Sequence, residues 1–242
     1  KIEKENLSGL KLAKKFYEEV GAKMIHEKFP EYEDKIAVGF VGEGSERFGF
    51  DDQYSIEEIK RFEIIIGAIL TQNTTWDSVN KALKNLSRYT DFNPLNIRRF
   101  IKEDPDLFKQ LIKPTGYYNQ KTIYLENITE FYIDLDGKTP SRKEVLSVKG
   151  VGNETADSIL LYAYREKQFV VDAYTKRIFI YLGYVNEKVT YLQLKKLFED
   201  NFIGDVRDYE NYHGVIVDHG KLYYRNKPYG ADDKILSKFK LV

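Results

Sequence analysis

Gly150 and Gly152 stand one residue apart in the run Val145-Leu146-Ser147-Val148-Lys149-Gly150-Val151-Gly152-Asn153-Glu154-Thr155-Ala156-Asp157. One amphipathic stretch stops at this Gly-x-Gly and another starts directly after it, with Ala156, Ile159, Leu160 and Ala163 on its apolar face. Paired glycines admit backbone dihedrals closed to other residues and let a second backbone come close. Amides exposed in such a turn, with the N-terminus of the next helix, can cradle an anion, and a nucleic-acid phosphate held that way is gripped without reading sequence. The same glycines also suit a plain tight turn, and the local sequence leaves both uses open. A second feature is Asp172, which follows the apolar run Phe169-Val170-Val171 and opens a new helical stretch. A carboxylate there can cap the helix by accepting backbone N–H bonds. Ionised beside a reacting carbon, it can equally stabilise developing positive charge and activate water.

Composition narrows the chemistry. The 242 residues include no cysteine, which excludes disulfides, Cys-based zinc sites and iron–sulfur clusters. Three histidines, His26, His213 and His219, are too few for a His-rich metal site. Chemistry must therefore rest on oxygen groups, lysine or aromatic rings. The 38 basic and 38 acidic residues cancel, so a polyanionic partner would have to be met by a local patch. A hydrophobic content of 42% suits one large domain or two small lobes with a substantial core. No apolar run approaches the roughly 20 residues of a membrane span, and Lys1–Asn6 is charged, so neither a signal peptide nor a membrane helix is expected and a cytoplasmic location follows. Abundant Lys, Glu, Ile and Tyr resemble a thermophile's composition, a picture that low-GC coding also produces.

Apolar positions recur at helical spacing in Leu7–Phe29, Ile56–Leu70, Asp77–Tyr89, Ile97–Lys102, Pro105–Leu111, Gln120–Phe131, Ser141–Val148, Glu154–Tyr164, Ala173–Leu182 and Tyr191–Phe202. The spacing predicts an all-α fold with short connections. Gly39–Asp52 reads as a Gly-rich surface loop, and Tyr209–Val242 as an irregular segment wrapping the outside of one lobe.

The pattern Leu146…Gly150-Val151-Gly152-Asn153-Glu154-Thr155-Ala156…Val171-Asp172…Arg177 resembles the signature of the helix-hairpin-helix DNA glycosylases related to endonuclease III. Three further segments are similar to that family: Ile69-Leu70-Thr71-Gln72-Asn73-Thr74-Thr75-Trp76, Gly116-Tyr117-Tyr118-Asn119-Gln120-Lys121, and Tyr212-His213-Gly214-Val215-Ile216-Val217-Asp218-His219-Gly220. The last looks like the block preceding the iron–sulfur loop of cluster-bearing relatives, and the missing cysteines place the chain with a cluster-free branch. Within the family the runs most resemble the 3-methyladenine DNA glycosylase III subgroup. The resemblance spans roughly residues 62–220 and implies a two-lobed fold with the active site in the cleft between lobes. Residues 1–60 with 168–242 would form the lobe carrying Asp172, and 61–167 the lobe ending in the hairpin.

That resemblance implies a monomeric enzyme, nucleoid-associated in a prokaryotic cytoplasm, that binds damaged double-stranded DNA, has no membrane partner and releases an alkylated purine. Asp172 would be the catalytic carboxylate, and Lys149, Gly150, Val151 and Gly152 the phosphate-binding hairpin. Gln72 and Asn73 would fill the vacated stack, although polar residues there also simply start a helix. Trp76, Tyr117, Tyr118 and Glu154 would line the base pocket, the rings also being candidates for ordinary core. Electron-rich rings attract a cationic methylated purine by about 0.5–2 kcal/mol. Glu154 stands where bifunctional relatives carry a Schiff-base lysine, which implies base release without strand cleavage; it also suits a first-turn acid. No metal or organic cofactor is expected, a monovalent cation at the hairpin being the one ion to consider. Rival readings are an endonuclease III-like enzyme for oxidised pyrimidines, a non-catalytic DNA-binding repair module and a helical adaptor.

Overall fold

The computed structural model describes residues 53–241. The expected Leu7–Phe29 helix and Gly39–Asp52 loop lie outside them. Among the described residues every regular element is helical, and they form two compact units, 53–164 and 165–241.

The first unit is organised around α1 (Ile56–Leu70), started by a capping box between Ser55 and Glu58 and buried along Ile59, Phe62, Ile65, Ile66, Ile69 and Leu70. A helix apolar on so many sides must be covered from several directions. Around it lie α2 (Trp76–Ser87), α3 (Pro94–Glu103), α4 (Pro105–Ile112), α5 (Tyr118–Asp134), α6 (Arg142–Leu146) and α7 (Asn153–Ser158). α2 packs on α4 and α3 on α5, while α1 meets α5 and the turn that continues α7. Asn93 and Asp104 cap α3 and α4 with proline at their starts, so α3 begins earlier than apolar spacing alone predicts.

The helix expected over Glu154–Tyr164 changes character midway: α7 runs into a π-helical turn, Ile159–Ala163. Tyr164 N–H donates to the Ile159 carbonyl five residues back, and the Arg61 guanidinium donates to the Ala163 carbonyl at 3.2 Å. A side chain reaching in from α1 thus takes up the last carbonyl of the turn.

In the second unit, α8 (Ala173–Tyr181), α9 (Tyr191–Asn201) and α10 (Val206–Tyr223) enclose an aromatic core. Phe169 stacks on Phe198 at 4.1 Å between centroids and meets Tyr209 and Tyr212 edge-on. The expectation of an irregular segment from Tyr209 onward is corrected here, because Val206–Tyr223 is an 18-residue helix. Its buried stripe is Tyr209, Tyr212, Val215, Ile216 and His219, spaced as a helix but built largely of polar-tipped side chains. Beyond it the chain is irregular apart from one short turn at Ser237–Phe239. That tail is tied down by Asp233, whose Oδ2 receives the Tyr224 hydroxyl at 2.8 Å and lies 2.7 Å from His219 Nε2.

Glu63 is the exception in the α1 core. It is buried, and its Oε2 has no hydrogen-bond partner among the described residues. Burial raises its carboxyl from an ordinary 4.5 to about 8, opposed by the nearby Lys60 cation. The folded state therefore holds this proton more tightly than the unfolded chain does. The resulting stability is complete below pH 4.5 and is lost as the pH rises through about 8. Glu63→Gln is expected to flatten that dependence, melting above the wild type at pH 8.5 but not at pH 4; parallel melting curves for the two proteins across this range would contradict the assignment.

Candidate functional site

The hairpin is assembled from both of its ends. Ser141 and Glu144 box the start of α6. From the first residue of that helix, Arg142 reaches across to Asp157 at 2.8 and 3.1 Å and to Asn153 at 2.9 Å. Asp157 is fully buried, so this two-pronged pair fixes α6 against α7. Val148 and Val151 turn inward to the core. Lys149 is exposed, and its carbonyl accepts from Asn127 at 3.2 Å.

The two glycines have different reasons to be there. Gly150 has φ +100°, and a Cβ on it would stand 2.2 Å from the Tyr124 ring, so the fold demands glycine twice over. Gly152 caps α7 with extended backbone, φ −93° and ψ −176°, and a Cβ there would meet none of the described residues within 4 Å. Folding does not require glycine at 152, and the surface beside it is open. Glu154 is exposed in the first turn of α7.

Gln72 belongs to this hairpin. Its Nε2 donates to the Gly150 carbonyl at 2.9 Å and to Thr155 Oγ1 at 3.1 Å, which joins the turn after α1 to the Gly-x-Gly. Asn73 beside it is exposed, with φ +54°. Trp76, 41% exposed, begins α2 and lays its ring 3.4 Å from where a Cβ on Gly67 would be. Tyr117 is 71% exposed in a left-handed conformation, φ +45°, and Tyr118 is half-buried with the Lys113 ammonium 5.9 Å from its ring centroid.

Lys121, buried one turn into α5, draws these turns together. Its ammonium donates to the Leu70 carbonyl at 2.8 Å, at the end of α1, and to the Thr115 carbonyl at 2.7 Å, just before Gly116. Burial lowers its pKa to about 8. Through Lys121 and Gln72, the structure brings the 71–76 turn, the 113–118 turn and the hairpin to one region of the first unit. The sequence offered no sign of the lysine's role, because both of its partners are backbone carbonyls.

In the second unit, Asp172 caps α8 and divides its two oxygens. Oδ1 accepts from the Thr175 amide at 2.7 Å and the Thr175 hydroxyl at 2.8 Å. Oδ2 stands 3.7 Å from His213 Nε2 of α10. Burial pushes the carboxyl up, but His213 and the two Thr175 donors together outweigh it and hold Asp172 below the ordinary aspartate range. The preceding strand of chain is fixed by the Phe169 amide donating to Glu199 at 3.0 Å and the Val171 amide to the Tyr191 hydroxyl at 3.4 Å. Among the described residues no group of three or more His, Asp or Glu side chains could share a metal ion, and no helix is long and apolar enough to cross a membrane.

Residues 66–202, which contain the 71–76 turn, the hairpin and Asp172, match the family described as HhH-GPD superfamily base excision DNA repair protein. The chain belongs to this superfamily. It is 44% identical over 178 residues to a "Putative DNA repair glycosylase" of Methanocaldococcus jannaschii, covering 69% of this chain and 80% of that one. Among solved structures it is similar to the H. pylori 3-methyladenine DNA glycosylase bound to 1,N6-ethenoadenine, with 28% identity, a TM-score of 0.57, and coverage of 66% of this chain and 85% of that one. It also shares its fold with endonuclease III in a non-covalent DNA complex, with a TM-score of 0.64 at 19% identity over 88% of this chain and 94% of that one. The all-helical, two-lobed glycosylase fold expected from the sequence is the fold observed.

The contrast between the glycines is measurable. Gly150→Ala, meeting the Tyr124 ring at a left-handed position, is expected to cost about 2–4 kcal/mol of stability, whereas Gly152→Ala should cost under about 1 kcal/mol. Chemical denaturation of both variants checks this, and equal losses would contradict it.

Proposed function

We propose that this DNA glycosylase is monofunctional, releasing an alkylated purine of the 3-methyladenine type from duplex DNA by hydrolysis, with Asp172 as its catalytic carboxylate. The observation that carries the reading is the division of labour in that carboxylate: Oδ1 is spent on α8, Oδ2 accepts no bond of ordinary hydrogen-bond length from the described residues and faces His213 at 3.7 Å, and the group is held below the ordinary aspartate range.

Cleaving the bond between deoxyribose and base develops oxocarbenium character on the sugar, and a preorganised anion stabilises that charge where it forms. A purine alkylated on the ring carries positive charge, leaves readily and needs no proton from the protein. The target base must leave the stack to be cut, and flipping costs least for a damaged base. Trp76, Tyr117 and Tyr118 supply rings on which a cationic base could stack, and the lesion class is supported by the 28% identity to the H. pylori 3-methyladenine enzyme. Gly152, with open space beside it, suits close approach of a DNA phosphate to the hairpin. Gln72 serves this reading as a brace for the hairpin, and Asn73 is the exposed polar residue available to the vacated stack. The chemistry needs no cofactor. Glu154, where bifunctional relatives carry lysine, provides no amine for a Schiff base.

Asp172→Asn keeps the shape of the cap and removes the charge. Single-turnover base release is expected to fall at least about 100-fold while duplex affinity stays within a few-fold. Undiminished release would remove the catalytic assignment. Borohydride added during turnover should trap no covalent protein–DNA adduct; an adduct forming as fast as base is released would show that an amine attacks the sugar.

A further inference from the structure

His213 and His219 lie six residues apart on α10, each facing an aspartate, and the two pairs differ in kind. His219 Nε2 is 2.7 Å from Asp233 Oδ2, which also receives the Tyr224 hydroxyl, while Asp233 Oδ1 accepts two backbone amides. Both oxygens of Asp233 are thus taken up. His213 Nε2 stands 3.7 Å from Asp172 Oδ2, beyond hydrogen-bond length but well within the range of charge interaction. The imidazole therefore acts on the carboxylate without occupying the oxygen left open for chemistry.

The gap is built into the fold from both sides. Phe169, three residues before Asp172, packs edge-on against Tyr209 and against Tyr212, the neighbour of His213. Past Asp172, Tyr174 lies on Gly220 of α10 so closely that a Cβ there would stand 2.3 Å from the ring. These contacts hold α8 and α10 in one register, and both side chains of the pair are mostly buried, at 17% and 11% exposure. Salt and water screen such a pair weakly.

We propose that His213 is a positioning residue for Asp172, holding the carboxylate charged and its free oxygen fixed from across the aromatic core. The inference rests on Asp172 being the catalytic group. A carboxyl buried among rings drifts toward its neutral form, which cannot stabilise an oxocarbenium ion. Among the described residues the groups facing it are few in kind. α8 supplies the neutral Thr175 donors, α10 supplies the titratable imidazole, and from α9 the Tyr191 hydroxyl meets the adjacent Val171 amide rather than the carboxylate. Among the described residues Thr175 contributes dipoles, and His213 contributes a ring able to carry charge.

The test is single-turnover base release from an alkylated-purine duplex, followed from acid to neutral pH for the wild type, His213→Gln, His213→Ala and Asp172→Asn. Duplex affinity and melting temperature are measured alongside. In the wild type, the acid limb should fall below the ordinary aspartate range. In both His213 variants it should move up by about one unit or more, with release at neutral pH slowed roughly tenfold and duplex affinity kept within a few-fold. His213 variants with the wild-type limb and rate would overturn the inference while an inactive Asp172→Asn leaves the catalytic assignment standing. Full activity in Asp172→Asn would instead remove that assignment. Should neither His213 variant fold, the wild-type profile decides: an acid limb within or above the ordinary aspartate range overturns the proposal.

Discussion

A carboxylate can stabilise a cation only while it is charged, and a carboxylate screened from water tends not to be. On the reading proposed for Asp172, the second unit meets this conflict directly. Its core is aromatic because stacked and edge-on rings, Phe169 on Phe198 and against Tyr209 and Tyr212, make a rigid floor beneath the segment that ends at Asp172. That floor costs the carboxylate hydration. The loss is offset by the amide and hydroxyl of Thr175 and the imidazole of His213, one set local in sequence and the other delivered by α10. Capping and charge retention are thus one arrangement, since the oxygen that starts α8 is also the one that satisfies two donors.

The first unit meets a different requirement, that of holding several exposed turns still. Each is braced by a buried or half-buried polar side chain. Lys121 binds the carbonyls at the ends of α1 and of the Lys113–Thr115 turn, Gln72 binds Gly150, and the Arg142–Asp157 pair fixes the base of the hairpin. Removing one partner from such a group leaves a buried dipole or charge uncompensated, which is more costly than the bond itself is stabilising. The exposed residues Asn73, Trp76 and Tyr117 are therefore carried on a frame that does not depend on them.

Much of this was legible in the sequence because it is local or periodic. The helices around α1 and α8 follow apolar spacing, the cap at Asp172 follows side-chain type, and the Gly-x-Gly with Val171-Asp172 carried the family. What escaped is non-local or chemically disguised. α10 read as irregular because tyrosine and histidine occupy its buried stripe where aliphatic residues would have marked a helix. With α10 unread, nothing could bring His213 to Asp172, 41 positions away in the chain. Gln72 looked like a polar residue free to enter DNA, and its bonds to Gly150 and Thr155 appear only when chain segments far apart in sequence are folded together. The π turn after α7 likewise depends on Arg61, a hundred residues upstream of the carbonyl it binds.

Hydrolytic release of an alkylated purine by an anion-stabilised sugar cation is tested by following free base and strand breakage on two matched duplexes that differ only in the lesion. A strand carrying 3-methyladenine and a matched strand carrying an oxidised pyrimidine are each incubated with excess protein, and free base and strand breakage are quantified separately over time. Complete release of 3-methyladenine is expected from a strand that stays intact until it is heated in alkali, with little release of the pyrimidine. Efficient pyrimidine release with strand breakage at the same rate, and no free 3-methyladenine, would contradict it.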